Sequence, residues 1–170
     1  TVCDWSHLAS DSAALAAAIA RGEPAAMPFP VIALTDSPAL QRTAAEIYVR
    51  RKLPADATLP PIAPWPRHDR LRIGYFSADF YNHATAYLMA ELFERHDAAA
   101  FEITAFSFGA DTGDAMRQRL MARFDRFIDV QEQSDRDVAL LARQLEIDIA
   151  VDLKGFTRGF RTGIFTCRAA

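Results

Sequence analysis

The sequence predicts an α/β domain built on a Rossmann-like, doubly wound parallel sheet and preceded by a helical extension. Three observations predict it. Short runs rich in Ile, Val and Phe recur at 71–77, 101–108, 127–130 and 147–153, segments with helical spacing separate them, and the connections are short. Parallel neighbours need a crossover, so strand–helix–strand repeated three times reads as a parallel sheet.

Taken in order, the first 66 residues have a different texture from the rest. An Ala-rich stretch over 11–21 is a short helix candidate ended by Gly22, and 23–30 holds three of the nine prolines, which predicts irregular structure there. Ser37 is a good N-cap with Pro38 at the first helical position, and Leu40, Ala44, Ile47 and Tyr48 share one face of the helix that follows. That helix ends on Arg50, Arg51 and Lys52, cations that answer the macrodipole. Five prolines within 54–66 read as a semi-rigid linker, which puts a boundary near residue 67: helical extension and linker over 1–66, sheet domain over 67–170. Beyond it, Asp111 or Thr112 is expected to cap a helix carrying Met116, Leu120 and Phe124. Ser134 and Asp137 form a capping box ahead of Val138, Leu141, Ala142 and Leu145.

Composition narrows the function classes. Apolar residues at 51 % and charged residues at 24 % suit a packed soluble core, while a net charge of −3 offers no sequence-wide positive field for nucleic acid or an anionic membrane. No run of 18 apolar residues is present to span a bilayer. Cys3 and Cys167 belong to no Cys-x-x-Cys pair, so they read as thiols of a reducing, cytoplasmic compartment and no zinc site is expected. Thr1 is not an initiator and residues 167–170 stop on an apolar drift, which leads us to expect an internal piece of a longer protein.

In an open parallel sheet ligands bind outside the carboxyl ends of the strands. Two loops qualify. The first contains Asp79, Asn82, His83 and Thr85, dense in polar groups where a cap alone would suffice. The second contains Lys154, Gly155, Thr157, Arg158, Gly159 and Arg161, with glycines for close backbone approach and cations that suit an anion. Asn82 or His83 also serves as a helix cap in the plain structural reading, and the cations of the second loop read equally as solvated. No Gly-x-Gly-x-x-Gly follows the first strand, and there is no Walker loop, no Gly-x-Ser-x-Gly elbow and no His-Glu-x-x-His. His83, four residues after Asp79, is the strongest single candidate, because an imidazole can take a proton from a hydroxyl near neutral pH or hydrogen-bond a phosphate or sugar oxygen. His7, His68 and His96 have no company that suggests a site.

The run Leu-Arg-Ile-Gly-Tyr-Phe-Ser-Ala-Asp-Phe-Tyr-Asn-His over 71–83 resembles the opening of the catalytic region of the O-linked N-acetylglucosamine transferase and SPINDLY family. Asp-Ile-Ala-Val-Asp-Leu-Lys-Gly-Phe-Thr-Arg-Gly over 148–159 is similar to that family's second signature, an aspartate-containing strand followed by a Gly-aromatic-Thr loop. The spacing between the two matches, as does the strand entry Phe101-Glu102-Ile103, and Cys3-Asp4-Trp5 is similar to the segment that joins the family's tetratricopeptide repeats to its catalytic part.

The resemblance, to a bacterial-type member, implies the first of the two Rossmann-like domains of a GT-B glycosyltransferase. It implies UDP-N-acetylglucosamine as donor, Ser or Thr hydroxyls of proteins as acceptors, inversion at the anomeric carbon and no required metal or cofactor. The second domain and the N-terminal repeats would be its partners. His83 matches the family's motif histidine, proposed as base or as a contact to donor and acceptor groups; Gly155 and Thr157 match the loop lining the same cleft, with Lys154 and Arg158 as adjacent cations. The positions nearest the acidic and histidine candidates that animal members carry before the last strand are Leu140, Arg143, Leu145 and Asp148, so no base is carried over to that helix. Tyr81, Ala84 and Tyr87 also differ, and acceptor specificity is not carried over. The alternative function class is a non-catalytic Rossmann-like module that binds a ligand or a protein.

Overall fold

The computed structural model describes residues 5–170; Cys3 and Asp4 of the resemblance lie outside the described residues. The chain divides into two compact units, one running to Ala55 and one spanning Asp56–Ala170.

The first unit holds helices α1 (Leu8–Ala20), α2 (Pro28–Leu34) and α3 (Pro38–Lys52). They enclose a small core of Ile19, Val31, Ala44 and Ile47, backed by Leu15, Ala26 and Leu40. As expected, Ser37 caps α3: its Oγ accepts the Leu40 N–H at 3.3 Å. The irregular stretch expected over 23–30 instead runs into α2, because Pro28 and Pro30 fall in the first turn, where a missing N–H breaks no intrahelical bond.

The second unit carries four strands, β1 (Leu71–Ser77), β2 (Phe101–Ser107), β3 (Arg126–Asp129) and β4 (Ile149–Asp152), all parallel and in the order β3-β2-β1-β4. Helix α4 (Ala84–Arg95) joins β1 to β2, α5 (Ala115–Met121) joins β2 to β3, α6 (Asp135–Gln144) carries the chain back past β1 to β4, and α7 (Gly163–Thr166) follows β4. The cap of α5 is Asp114 rather than Asp111 or Thr112; its carboxylate accepts the Arg117 N–H at 2.9 Å. Ser134 caps α6 as the capping box predicted, accepting the Asp137 N–H at 3.2 Å while donating to the Asp137 carboxylate at 2.6 Å.

One apolar cluster joins the sheet to α4 and α5 through Ile73, Tyr75, Ala90, Phe93, Leu120 and Phe124. The other joins it to α6 and α7 through Phe76, Phe106, Val138, Ala142, Ile147 and Ile164. Alternate residues of β1 therefore feed opposite cores, as the strand period requires. The Phe76 and Phe106 rings stack across the β1–β2 register at 4.4 Å.

The proline-rich stretch packs on this unit. Trp65 Nε1 donates to Asp148 at 2.9 Å and Arg143 donates to the Pro60 carbonyl at 2.7 Å. A cleft of about 490 Å³ between residues 60–66 and α6 shares no residue with the two candidate loops.

The strand order has a functional consequence. After β1 the chain builds toward β2 and β3, and after β3 it returns to the other side of β1, so the direction of winding reverses between β1 and β4. At such a point the loops following the two strands leave toward opposite faces of the sheet, and ligands of open α/β sheets bind at the carboxyl edge there. Those two loops are the ones singled out above.

Candidate functional site

The first loop leaves β1 at Ser77 and enters α4 at His83. Ser77 is buried, and its Oγ accepts the Asp79 N–H at 2.9 Å, which turns the chain at the strand end. His83 is the N-cap of α4, with extended backbone, and its Nδ1 accepts the Thr85 N–H at 3.2 Å. A backbone N–H can only donate, so Nδ1 is the acceptor in this bond. The imidazole is 40 % exposed, and the Tyr81 ring stands 5.7 Å from it.

The second loop leaves β4 at Asp152. One carboxylate oxygen, Oδ1 of Asp152, accepts both the Lys154 N–H at 2.8 Å and the Gly155 N–H at 3.0 Å. Gly155 and Gly159 have φ of 51° and 76°, conformations that side chains disfavour and that bend the loop twice. Thr157 closes the first bend, its hydroxyl donating to the Lys154 carbonyl at 2.8 Å.

The loops meet through charge. Lys154 Nζ donates to Asp79 Oδ2 at 2.8 Å, and both side chains are more than nine-tenths buried. The same carboxylate oxygen lies 3.6 Å from His83 Nδ1. Asp79, His83 and Lys154 thus form one cluster across the reversal point, and Lys154 is an internal partner rather than a solvated cation. Arg161 is likewise committed: it donates to Asp135 at 2.7 Å, to the Val130 carbonyl at 2.9 Å and to the Gln133 carbonyl at 2.6 Å, which ties the second loop to the start of α6. Arg158 is exposed and, among the described residues, makes no hydrogen bond or ion pair. Asn82 is exposed and contributes its backbone N–H to the frame rather than a side-chain bond. Thr85 is half-buried and acts through its N–H on His83.

A third loop, between β2 and α5, holds the first from behind, and sequence reasoning missed it. Gly109 approaches so closely that a Cβ there would overlap the Ala78 carbonyl. Arg117, 3 % exposed, reaches the Phe80 carbonyl at 3.5 Å and Ser107 Oγ at 3.3 Å, and its guanidinium lies over the Phe127 ring. Asp114 Oδ2 accepts the Asn82 N–H at 3.0 Å. These contacts hold the loop by the main chain of residues 78, 80 and 82. Hydrogen bonds from the Thr112 hydroxyl, then from the Asn82 and Arg117 N–H groups, hold the Asp114 carboxyl at about 2, well below its ordinary value. The sequence signal available was Asp114 three residues before Arg117, but the tie to Asn82 spans 32 residues and left no local trace.

Asp148 stands at the amino end of β4. It accepts the Arg72 N–H and the Trp65 indole N–H, each at 2.9 Å, bonds that outweigh the effect of burial and keep its carboxyl below the ordinary range. Its role is to join strand and linker. His68 pairs with Glu146 at 2.8 Å and His96 with the Tyr75 hydroxyl at 2.7 Å, both away from the two loops.

Comparison with known proteins bears directly on this arrangement. The chain is 36 % identical over 101 residues to a probable UDP-N-acetylglucosamine–peptide N-acetylglucosaminyltransferase SEC of Arabidopsis thaliana. It is 34 % identical over 102 residues to a UDP-N-acetylglucosamine–peptide N-acetylglucosaminyltransferase of Caenorhabditis elegans. Each match covers 59 % of this chain and only 10 % or 9 % of the relative. A mutant of the Thermobaculum terrenum O-GlcNAc transferase superposes with a TM-score of 0.63 at 28 % identity, covering 94 % of this chain and 29 % of that one. Both loops, the strands that carry them and the helices between lie inside residues 61–170, which match the sequence model of glycosyl transferase family 41, and the chain belongs to that family.

Proposed function

We propose that this chain supplies the first of two Rossmann-like domains of an inverting, GT-B glycosyltransferase that moves N-acetylglucosamine from UDP-N-acetylglucosamine to Ser or Thr hydroxyls of proteins. The observation that carries the reading is the convergence of the two family loops at the reversal point of the sheet, joined by the Asp79–Lys154 pair with His83 beside it. The crevice needs a second wall, which a second Rossmann-like domain provides, with tetratricopeptide repeats ahead of residue 1 presenting the acceptor.

In this reading the acceptor hydroxyl oxygen bonds the anomeric carbon in line as the bond to the UDP oxygen breaks, the hydroxyl proton passing to a base supplied from outside this domain, with no metal and no cofactor. His83 stands at the rim with Nε2 as the nitrogen that makes no hydrogen bond among the described residues, and Asn82 and Thr85 set its position through backbone N–H groups. A departing diphosphate gains stability from cations and helix N-termini in a water-poor crevice. On this wall the exposed Arg158 is the available cation; the second domain supplies the rest. The protein works in the cytoplasm on this reading; among the described residues no helix is long and apolar enough to cross a membrane.

Calorimetric titration of the complete two-domain protein with UDP, then with UDP-N-acetylglucosamine, tests the reading. Saturable binding of both and transfer to a peptide hydroxyl are expected. Binding of neither overturns it, and binding without transfer favours a non-catalytic ligand-binding module. Residues 1–170 alone should not turn over the donor; substantial transfer by them would refute the division of labour between two domains.

A further inference from the structure

We propose that the buried Lys154–Asp79 pair fixes the tautomer of His83, keeping the ring proton on Nε2, so that His83 serves the reaction as a hydrogen-bond donor rather than as the group that deprotonates the acceptor. The last clause rests on the transferase reading; the tautomer assignment does not.

Three groups act on Nδ1. The Thr85 N–H, at 3.2 Å, requires a lone pair there. The Asp79 carboxylate, 3.6 Å away, favours the opposite state, because an anion at that distance stabilises a proton on the near nitrogen. Lys154 decides between them: its ammonium sits 2.8 Å from the same Oδ2, and the pair presents little net charge to the ring. The Tyr81 ring, 5.7 Å from the imidazole, adds no charge on that side. With Asp79 neutralised, the backbone bond prevails. Nε2 then carries the proton and suits a phosphate, carbonyl or sugar oxygen.

The arrangement is the reverse of a His–Asp pair built for base catalysis. There the carboxylate accepts the Nδ1 proton and leaves Nε2 free to take another. Here the carboxylate's nearest oxygen is already engaged by an ammonium, and Nδ1 is already an acceptor. Lys154 is therefore a positioning residue, acting through Asp79 on His83.

Long-range ¹⁵N–¹H correlation spectra of the histidine rings test this directly, since the protein has four histidines and His83→Gln identifies its signals. In the wild-type protein above neutral pH, His83 is expected to show an unprotonated Nδ1 and a protonated Nε2. In Lys154→Met the bare carboxylate should draw a proton to Nδ1. The population protonated there should rise about ten-fold or more near neutral pH, and the Thr85 amide should shift as it loses its acceptor. In Asp79→Asn/Lys154→Met, with both charges removed, the wild-type pattern should return; a purely structural role for the lysine predicts no such rescue.

A wild-type ring protonated on Nδ1 overturns the proposal. So does a folded Lys154→Met variant with the wild-type pattern, or a double variant that keeps the Lys154→Met pattern. If Lys154→Met does not fold, Lys154→Gln, which removes the charge but can still hydrogen-bond Asp79, gives the same reading against a charge-keeping Lys154→Arg control. None of these spectra requires transfer activity, so failure of the tautomer assignment and failure of the transferase reading are separately visible.

Discussion

Lys154 Nζ and Asp79 Oδ2 lie 2.8 Å apart with both side chains almost wholly buried, and they are 75 residues apart in the chain. A buried pair of this kind gives little net stability compared with a neutral replacement, yet removing one partner strands the other charge. Lys154→Met should therefore destabilise by about 3–5 kcal/mol in urea unfolding, and Asp79→Asn/Lys154→Met should recover most of that loss. Additive losses in the double variant would show that the two charges do not depend on one another.

Gly109→Ala tests the rear support of the His83 loop. The added methyl overlaps the Ala78 carbonyl, a backbone atom with no flexible side chain to yield, so the loop must move. Overpacking of this sort costs about 1–3 kcal/mol. The amide signals of Asp79, Asn82 and Thr85 should shift together in the variant, and unchanged signals would mean that the β2–α5 loop does not determine the path of the first.

The Asn82 N–H bond to Asp114 should outlast ordinary acid conditions. Because the folded carboxyl titrates at about 2 against an ordinary 3.8, its stabilising contribution is complete above the ordinary value and is lost as pH falls toward about 2. The Asn82 amide shift should stay constant from about pH 6 to about pH 4, then move as the carboxyl protonates. Titration of that amide well above pH 4 would contradict the bond.

His96 gives a second pH dependence with a different window. Burial lowers its affinity for a proton relative to the ordinary value of 6.5, while burial raises the Tyr75 hydroxyl beside it. A folded state that resists protonation is fully stable above the unfolded value and loses stability as pH falls below about 6.5. The urea midpoint should drop between about pH 7.5 and about pH 5.5, and His96→Phe should flatten that part of the curve. An unchanged slope in the variant would assign the dependence to other groups.

The legible parts of the molecule were those with local causes. Ser37 and Ser134 announce their helices because a cap acts over three residues, and the four strands announce themselves as apolar runs between helical segments. The carboxyl-edge loops followed from the parallel-sheet reading together with their own polar, glycine and cationic residues. Helix α2 was not legible, since three prolines in eight residues outweigh in sequence what the first helical turn tolerates in space. Lys154 and Arg161 read either as anion-binding or as solvated cations, and their internal partners were not legible because Asp79 and the 130–135 segment are distant in the chain. The loop around Gly109, Asp114 and Arg117 was missed for the same reason: each contact it makes with the His83 loop spans about thirty residues or more.

The most direct test of the central claim is the rate of N-acetylglucosamine transfer from UDP-N-acetylglucosamine to a peptide Ser or Thr by the complete two-domain protein, wild type against His83→Ala. Loss of a positioned hydrogen-bond donor at the reacting groups costs about 100- to 1,000-fold in rate. A fall of that order in a variant that still folds, destabilised only by the about 0.5–2 kcal/mol that losing the α4 cap costs, is the predicted result. Wild-type turnover by His83→Ala would remove the imidazole from the reaction and contradict the account.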